Sequence, residues 1–183
     1  RPTVKPERPV EVRPKPTPRE AQAPIASDPT DPRWNDMAMA NRYEVIAIEM
    51  RRRYGVRVRK WRTSMSGVAW QVTYRDGTVS RLIESPRPKG PMSVAVFLHE
   101  IGHHAIGLGA YKPRCLEEYH AWRFSLDQMR AWKLNVTPAV EARMHESLHW
   151  AIDKAARRGL KRLPEELVPY VEPPPPRPSR RAR

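Results

Sequence analysis

Met92-Ser-Val-Ala-Val-Phe-Leu-His-Glu-Ile-Gly-His-His-Ala-Ile-Gly107 decides the reading of this chain. Inside it, His99-Glu100-Ile101-Gly102-His103 places two histidines four residues apart with a glutamate after the first. On a helix, positions i and i+4 are about 400° apart, so both imidazoles leave one face a single turn apart. That spacing suits two nitrogen ligands of a tetrahedral zinc ion, and Glu100 projects from the adjoining strip, where it can act on a water beside the metal. Val94, Ala95, Val96, Phe97, Leu98, Ile101, Ala105 and Ile106 make the helix apolar on almost every side, which predicts burial. Two histidines and a carboxylate in a buried helix are costly unless something pairs with them, and a cation does so. His99 and His103 are therefore expected metal ligands, and Glu100 the expected general base.

Upstream, Pro86, Pro88 and Pro91 break the chain just before this helix. Ahead of them come three runs with strand character, residues 56–61, 68–74 and 78–84. Asp76-Gly77 between the last two is a strong hairpin signal. Earlier still, Met39, Tyr43, Ile46, Met50 and Tyr54 recur at helical steps and stop at Gly55; Asp31-Pro32 reads as the cap and first position of that helix. Downstream, Gly107 and Gly109 end the histidine helix. Tyr119, Trp122, Leu126, Met129 and Trp132 form the buried stripe of another, closed by Asn135. Thr137-Pro138 caps a last helix running to about Arg158, before Gly159. There are no internal repeats. The expected fold is α+β: an N-terminal helix, a small three-stranded antiparallel sheet, the histidine helix and two covering helices.

A chain of 183 residues has room for one well-packed domain. Of its 21 prolines, nine fall in residues 1–33 and seven in 164–183. Those ends are expected to be disordered proline-rich arms whose removal costs little stability, leaving a domain over 34–163. That domain carries the basic excess, with 23 Lys/Arg against 12 Asp/Glu. Seven of the twelve residues from Arg51 to Arg62 are basic (Arg51, Arg52, Arg53, Arg57, Arg59, Lys60, Arg62). Such a patch can contact nucleic acid or an acidic protein, or serve as a solvated face. Cys115 is the single cysteine, so no internal disulfide forms, which fits a reducing compartment such as a bacterial cytoplasm. No apolar run is long enough to span a membrane and no signal peptide opens the chain; a start at Arg1 implies a fragment or a processed form. Oligomeric state is not legible.

Fifteen positions after His103 stands Glu118-Tyr-His-Ala-Trp-Arg-Phe124. With the element order above, these residues make the chain resemble a minimal zinc metallopeptidase of the gluzincin kind, most similar to the ImmA/IrrE family of phage and mobile-element contexts. That family's second motif begins with the glutamate that is its third zinc ligand. Carried over by position, the resemblance implies Glu118 as third ligand, Zn²⁺ as cofactor and a protein as substrate. It spans roughly residues 35–135. One departure is Trp122, where the family has Asn or Asp to orient a histidine ligand. Glu117 and His120 flank Glu118 and are alternative ligands, although Glu118 shares a face with Trp122, Ser125 and Met129, and Glu117 is expected to be solvated beside a base. A second H-E-x-x-H, His145-Glu146-Ser147-Leu148-His149, lies in polar surroundings and is expected to be coincidental or supporting.

These readings imply a zinc-dependent endopeptidase in which Glu100 activates water against a peptide bond of a specific partner protein. An extended substrate would pair with the strand at 78–84, taken as a sheet edge, and His120, Tyr119 or Tyr111 would steady the oxyanion. The alternative is a non-catalytic zinc-containing module that binds nucleic acid or protein.

Overall fold

The computed structural model describes residues 28–174; most of the expected N-terminal arm and residues 175–183 lie outside the described residues. Asp31 does cap a turn, accepting from Arg33 N–H at 2.9 Å, but only a 3₁₀ turn over Pro32–Asp36 follows it. This turn buries Trp34, whose indole N–H donates to the Trp132 carbonyl at 3.2 Å. Helix α1 (Met39–Tyr54) begins afresh beyond it and stops at Gly55, which sits in the left-handed region at φ 62°. Tyr43, Ile46 and Met50 form its buried stripe.

Three strands follow: β1 (Val56–Arg62), β2 (Val68–Thr73) and β3 (Val79–Pro86). Asp76-Gly77 builds the expected turn, with Tyr74 N–H donating to Thr78 O at 2.8 Å and Asp76 Oδ1 accepting from Thr78 N–H at 2.9 Å. The sheet order is β1-β3-β2, with β3 antiparallel to β2 and parallel to β1. The sheet is therefore mixed, not wholly antiparallel. The cause is topological: the hairpin places β3 between β2 and β1, where it runs in the direction of β1. The strand expected at an edge is thus the central one, with both its edges paired; β2 and β1 carry the open edges.

Helix α2 (Pro91–Ile106) carries the H-E-x-x-H motif. The Ser93 hydroxyl accepts from Lys89 N–H at 2.8 Å and Gly90 N–H at 3.0 Å, satisfying donors at its start. Every residue from Ser93 to His104 is buried, as the apolar flanks demand. Helices α3 (Arg114–Ala131) and α4 (Pro138–Arg157) cover it. Gly102 makes the α2–α3 approach possible: a Cβ there would stand 2.8 Å from the Ala121 carbonyl oxygen and 3.1 Å from Phe124 Cδ1. Ser125 Oγ–H donates to Ala95 O at 2.7 Å across the same seam, and His104 Nε2 bonds Leu82 O at 3.0 Å, tying α2 to β3. None of the helices is long and apolar enough to cross a membrane, among the described residues.

The folded part does not stop at residue 163. A second 3₁₀ turn, Glu165–Tyr170, packs on α3 and α4 and buries Leu167 completely. Leu167, Tyr170 and the histidines described below hold a segment whose proline content had marked it as an arm. Leu167→Ala should therefore cost about 2–4 kcal/mol and lower the melting temperature by roughly 5–10 °C, measured by circular dichroism. A shift below about 1 °C would mean that the segment contributes no stability.

Candidate metal centre

His99, Glu100 and His103 lie together on α2, all buried, with ligand atoms within 4.8 Å of one another. They form a group able to hold a metal ion. A further oxygen enters from α3, because the Gly102 seam brings the first turns of α3 against the motif. Glu118 Oε2 is 3.3 Å from His99 Nε2 and 3.5 Å from His103 Nε2. Ligands bonded to one tetrahedral zinc at about 2.0–2.1 Å stand roughly 3.3–3.4 Å apart. The Glu118 oxygen already stands at about that separation from each imidazole nitrogen. Glu118 fits as a third ligand better than Glu100, which belongs to the same buried group but reaches it from the neighbouring strip of α2.

The orientation of the two histidines has different causes. His103 Nδ1 bonds Glu117 Oε1 at 3.2 Å, and a carboxylate can only accept, so Nδ1 carries a proton and Nε2 is the nitrogen that faces the site. Glu117 is fully buried and also accepts from Gly109 N–H at 2.8 Å and pairs with Arg114 Nη1 at 3.1 Å. The expectation of a solvated Glu117 is thus corrected: it neighbours a base, as expected, but its main role is to orient His103. His99 Nδ1 has no hydrogen-bond partner, and the ring stacks on Trp122 with centroids 4.5 Å apart. Trp122, standing where a polar group would orient a histidine, holds His99 by its face.

Electrostatics follow from burial. Desolvation pulls His99 down to about 4, so its imidazole is neutral at pH 7. Desolvation pushes Glu100 up to about 8, against the pull of His103. For His103, burial acts downward, but the hydrogen bond and charge of Glu118, with the charge of Glu100, outweigh it and raise the pKa. Burial likewise acts upward on Glu118, and its bonds to His103 and His99 overcome it and lower the pKa. The carboxylates here thus stabilise a positive charge on His103, and a bound cation would replace that proton.

Glu100 is sealed from above by the connection after β1. A Cβ on Gly67 would collide with the Glu100 carboxylate, so only glycine lets the backbone lie across it. Ser66, Val68 and Ala69 continue that wall, and Arg143 and Ser147 of α4 complete it. Arg143 Nη2–H donates to Met65 O at 3.1 Å while its buried Nε–H has no partner. The three expected oxyanion donors lie elsewhere: His120 stacks on Tyr111 at 3.9 Å, and Tyr119 meets His120 and Tyr170. None of the three lines the cavity. Arg143, missed from sequence, lines it instead. Nothing in the sequence marks it, since its wall forms only in the folded chain.

The second H-E-x-x-H builds no metal group. His145 Nε2 bonds Glu172 O at 2.8 Å and His149 Nδ1 bonds Tyr170 O at 3.2 Å, so both imidazoles fasten the C-terminal segment. The basic patch is partly neutralised: Arg52 and Arg53 pair with Glu49, and Arg59 and Arg62 with Glu84.

Comparison with protein-family models, with curated proteins and with solved structures gives no significant match to this chain.

Removing the Glu117 carboxylate should free His103 to rotate. Glu117→Ala is expected to weaken metal affinity about 10–100-fold, read by competition against a chromogenic chelator. Glu117→Gln, whose amide oxygen can still accept from Nδ1, should recover most of that loss. Equal affinity in wild type and Glu117→Ala would remove the orienting role.

Proposed function

We propose that this chain is a zinc-dependent peptidase of the gluzincin kind, similar to the ImmA/IrrE family, with His99, His103 and Glu118 as ligands and Glu100 as general base. The observation that carries the reading is the convergence of two imidazole Nε2 atoms and Glu118 Oε2 at 3.3 and 3.5 Å, beside a second, separately buried carboxylate. Structural zinc sites mostly use cysteine, and Cys115 is the only cysteine in the chain. When bound, zinc supplies Lewis acidity, lowering the pKa of water and polarising a carbonyl.

The remaining chemistry belongs to the chain. Glu100, held under Gly67 in a dry site, accepts a proton from the attacking water and passes it to the departing amine nitrogen. Burial raises its pKa, which makes the ionised carboxylate a stronger proton acceptor. Arg143 lines the cavity, and its guanidinium is the positive group there that can steady negative charge on the carbonyl oxygen. The open edge of β2, whose Val68 and Ala69 line the site, offers backbone groups to an extended substrate. His99 and His103 hold position through Trp122 and Glu117.

A regulatory module that only stores zinc, or that binds nucleic acid through the face around Arg51, is the competing reading. Pairing of four of the seven patch residues with Glu49 and Glu84 reduces the charge that face offers a phosphate backbone. A base sealed beside the ligands also has no use in a storage site.

A base and a ligand fail differently. Glu100→Gln should retain zinc at wild-type stoichiometry while peptide hydrolysis falls by at least about 100-fold. Glu118→Ala should lose zinc affinity and regain part of its activity in excess zinc. Metal analysis and a peptide-cleavage assay on both variants check this. Unchanged hydrolysis by Glu100→Gln would overturn the mechanism.

A further inference from the structure

A second cavity of about 530 Å³ opens beside the metal centre and takes no part in the chemistry above. The two share Arg114, Glu118 and Ser147 in their walls, so they adjoin. Its size is within the range of specific ligand sites, roughly 300–1,000 Å³. Cys115, Ala151, Ala155 and Leu160 give it an apolar floor. At its mouth stands Trp150, 59% exposed, with Lys154 Nζ 4.6 Å from its ring centroid. An exposed tryptophan over an apolar floor is costly to leave in water, which marks the place as one that a partner covers.

Charge identifies the partner. Lys154 and Arg158 line the cavity, and among the described residues neither is in an ion pair. The acidic group in its walls is Glu118, already engaged by Arg114 Nε at 3.1 Å. The cavity therefore has uncompensated positive charge above an apolar floor. Residues 175–183 do not suit it, since they contain Arg177, Arg180, Arg181 and Arg183 and no carboxylate side chain.

We propose that this cavity is the specificity pocket of the enzyme and takes a substrate segment in which a large apolar side chain is flanked by Asp or Glu. The apolar side chain fills the floor against Trp150, and the carboxylates pair with Lys154 and Arg158. The assignment rests on the peptidase reading of the adjoining centre, and its test uses binding, so the two can fail separately.

Dodecapeptides on one scaffold, with Leu, Phe or Gln at the centre and Glu, Gln or Lys at the flanks, are titrated by fluorescence anisotropy against full-length, zinc-loaded Glu100→Gln protein. Leu- and Phe-centred peptides with Glu flanks should bind at least about tenfold tighter than their Lys-flanked counterparts, with the margin shrinking as salt is added. Lys154→Glu/Arg158→Glu in that background should reverse the preference for flanking charge. Lys154→Gln/Arg158→Gln should abolish it and keep the preference for Leu and Phe over Gln. Both positions lie at the surface end of α4, and an unchanged melting temperature verifies folding. No binding of any peptide, or a charge preference untouched by the reversal, overturns the pocket. The same peptides are then offered to the wild-type enzyme. Selective binding without cleavage would leave the pocket and remove the peptidase; cleavage indifferent to Lys154 and Arg158 would do the opposite.

Discussion

Burying two imidazoles and two carboxylates in the middle of a small domain is the constraint on which this structure turns. His99, Glu100, His103 and Glu117 are all within a few per cent of full burial, where an unpaired charge is strongly disfavoured. The protein answers with complementary partners: Glu117 and Glu118 around His103, Arg114 behind both carboxylates, and Trp122 against His99. Charge is favoured on His103 and disfavoured on His99 and Glu100. A divalent ion among these groups would satisfy His99 Nε2, His103 Nε2 and Glu118 at once, which the single proton on His103 does not.

Two glycines make that burial sterically possible, and each acts through a close approach. Gly102 lets α3 lie on α2, which delivers Glu117 to one nitrogen of His103 and Glu118 to the other. Gly67 lets the backbone cross Glu100, which keeps the base dry. The motif is usually described by its histidines and its glutamate. In this chain the small residue before the second histidine sets where Glu118 stands.

Much of this was legible in the sequence wherever local pattern decides structure. The helices at Pro91–Ile106, Arg114–Ala131 and Pro138–Arg157 follow their periodicity and punctuation closely, Met39–Tyr54 follows its periodicity and its stop at Gly55 but not the start expected at Asp31-Pro32, and Asp76-Gly77 forms its hairpin. What escaped depends on contacts between distant elements. The position of β3 between β1 and β2 is set by strand pairing across the sheet, and no turn signal encodes it. Glu117 and Glu118 are adjacent and chemically alike, so only the packing of α3 reveals that one orients and the other faces the metal site. Arg143 comes from a helix forty residues beyond the motif. The segment Glu165–Tyr170 was masked by its prolines, although Leu167, Val168, Tyr170 and Val171 lie close together in sequence; His149 bonds its backbone at Tyr170, and His145 bonds Glu172 just beyond it.

The proposed function requires one metal ion between α2 and α3, held by His99, His103 and Glu118. Zinc K-edge absorption of the protein loaded with one equivalent of zinc tests it most directly. The expected result is a four-coordinate site at about 2.0–2.1 Å with two imidazoles, oxygen in the remaining positions and no sulfur. The imidazole signature should persist in His145→Ala/His149→Ala and vanish in His99→Ala/His103→Ala. A sulfur shell, or an imidazole signature that survives loss of His99 and His103, would contradict it.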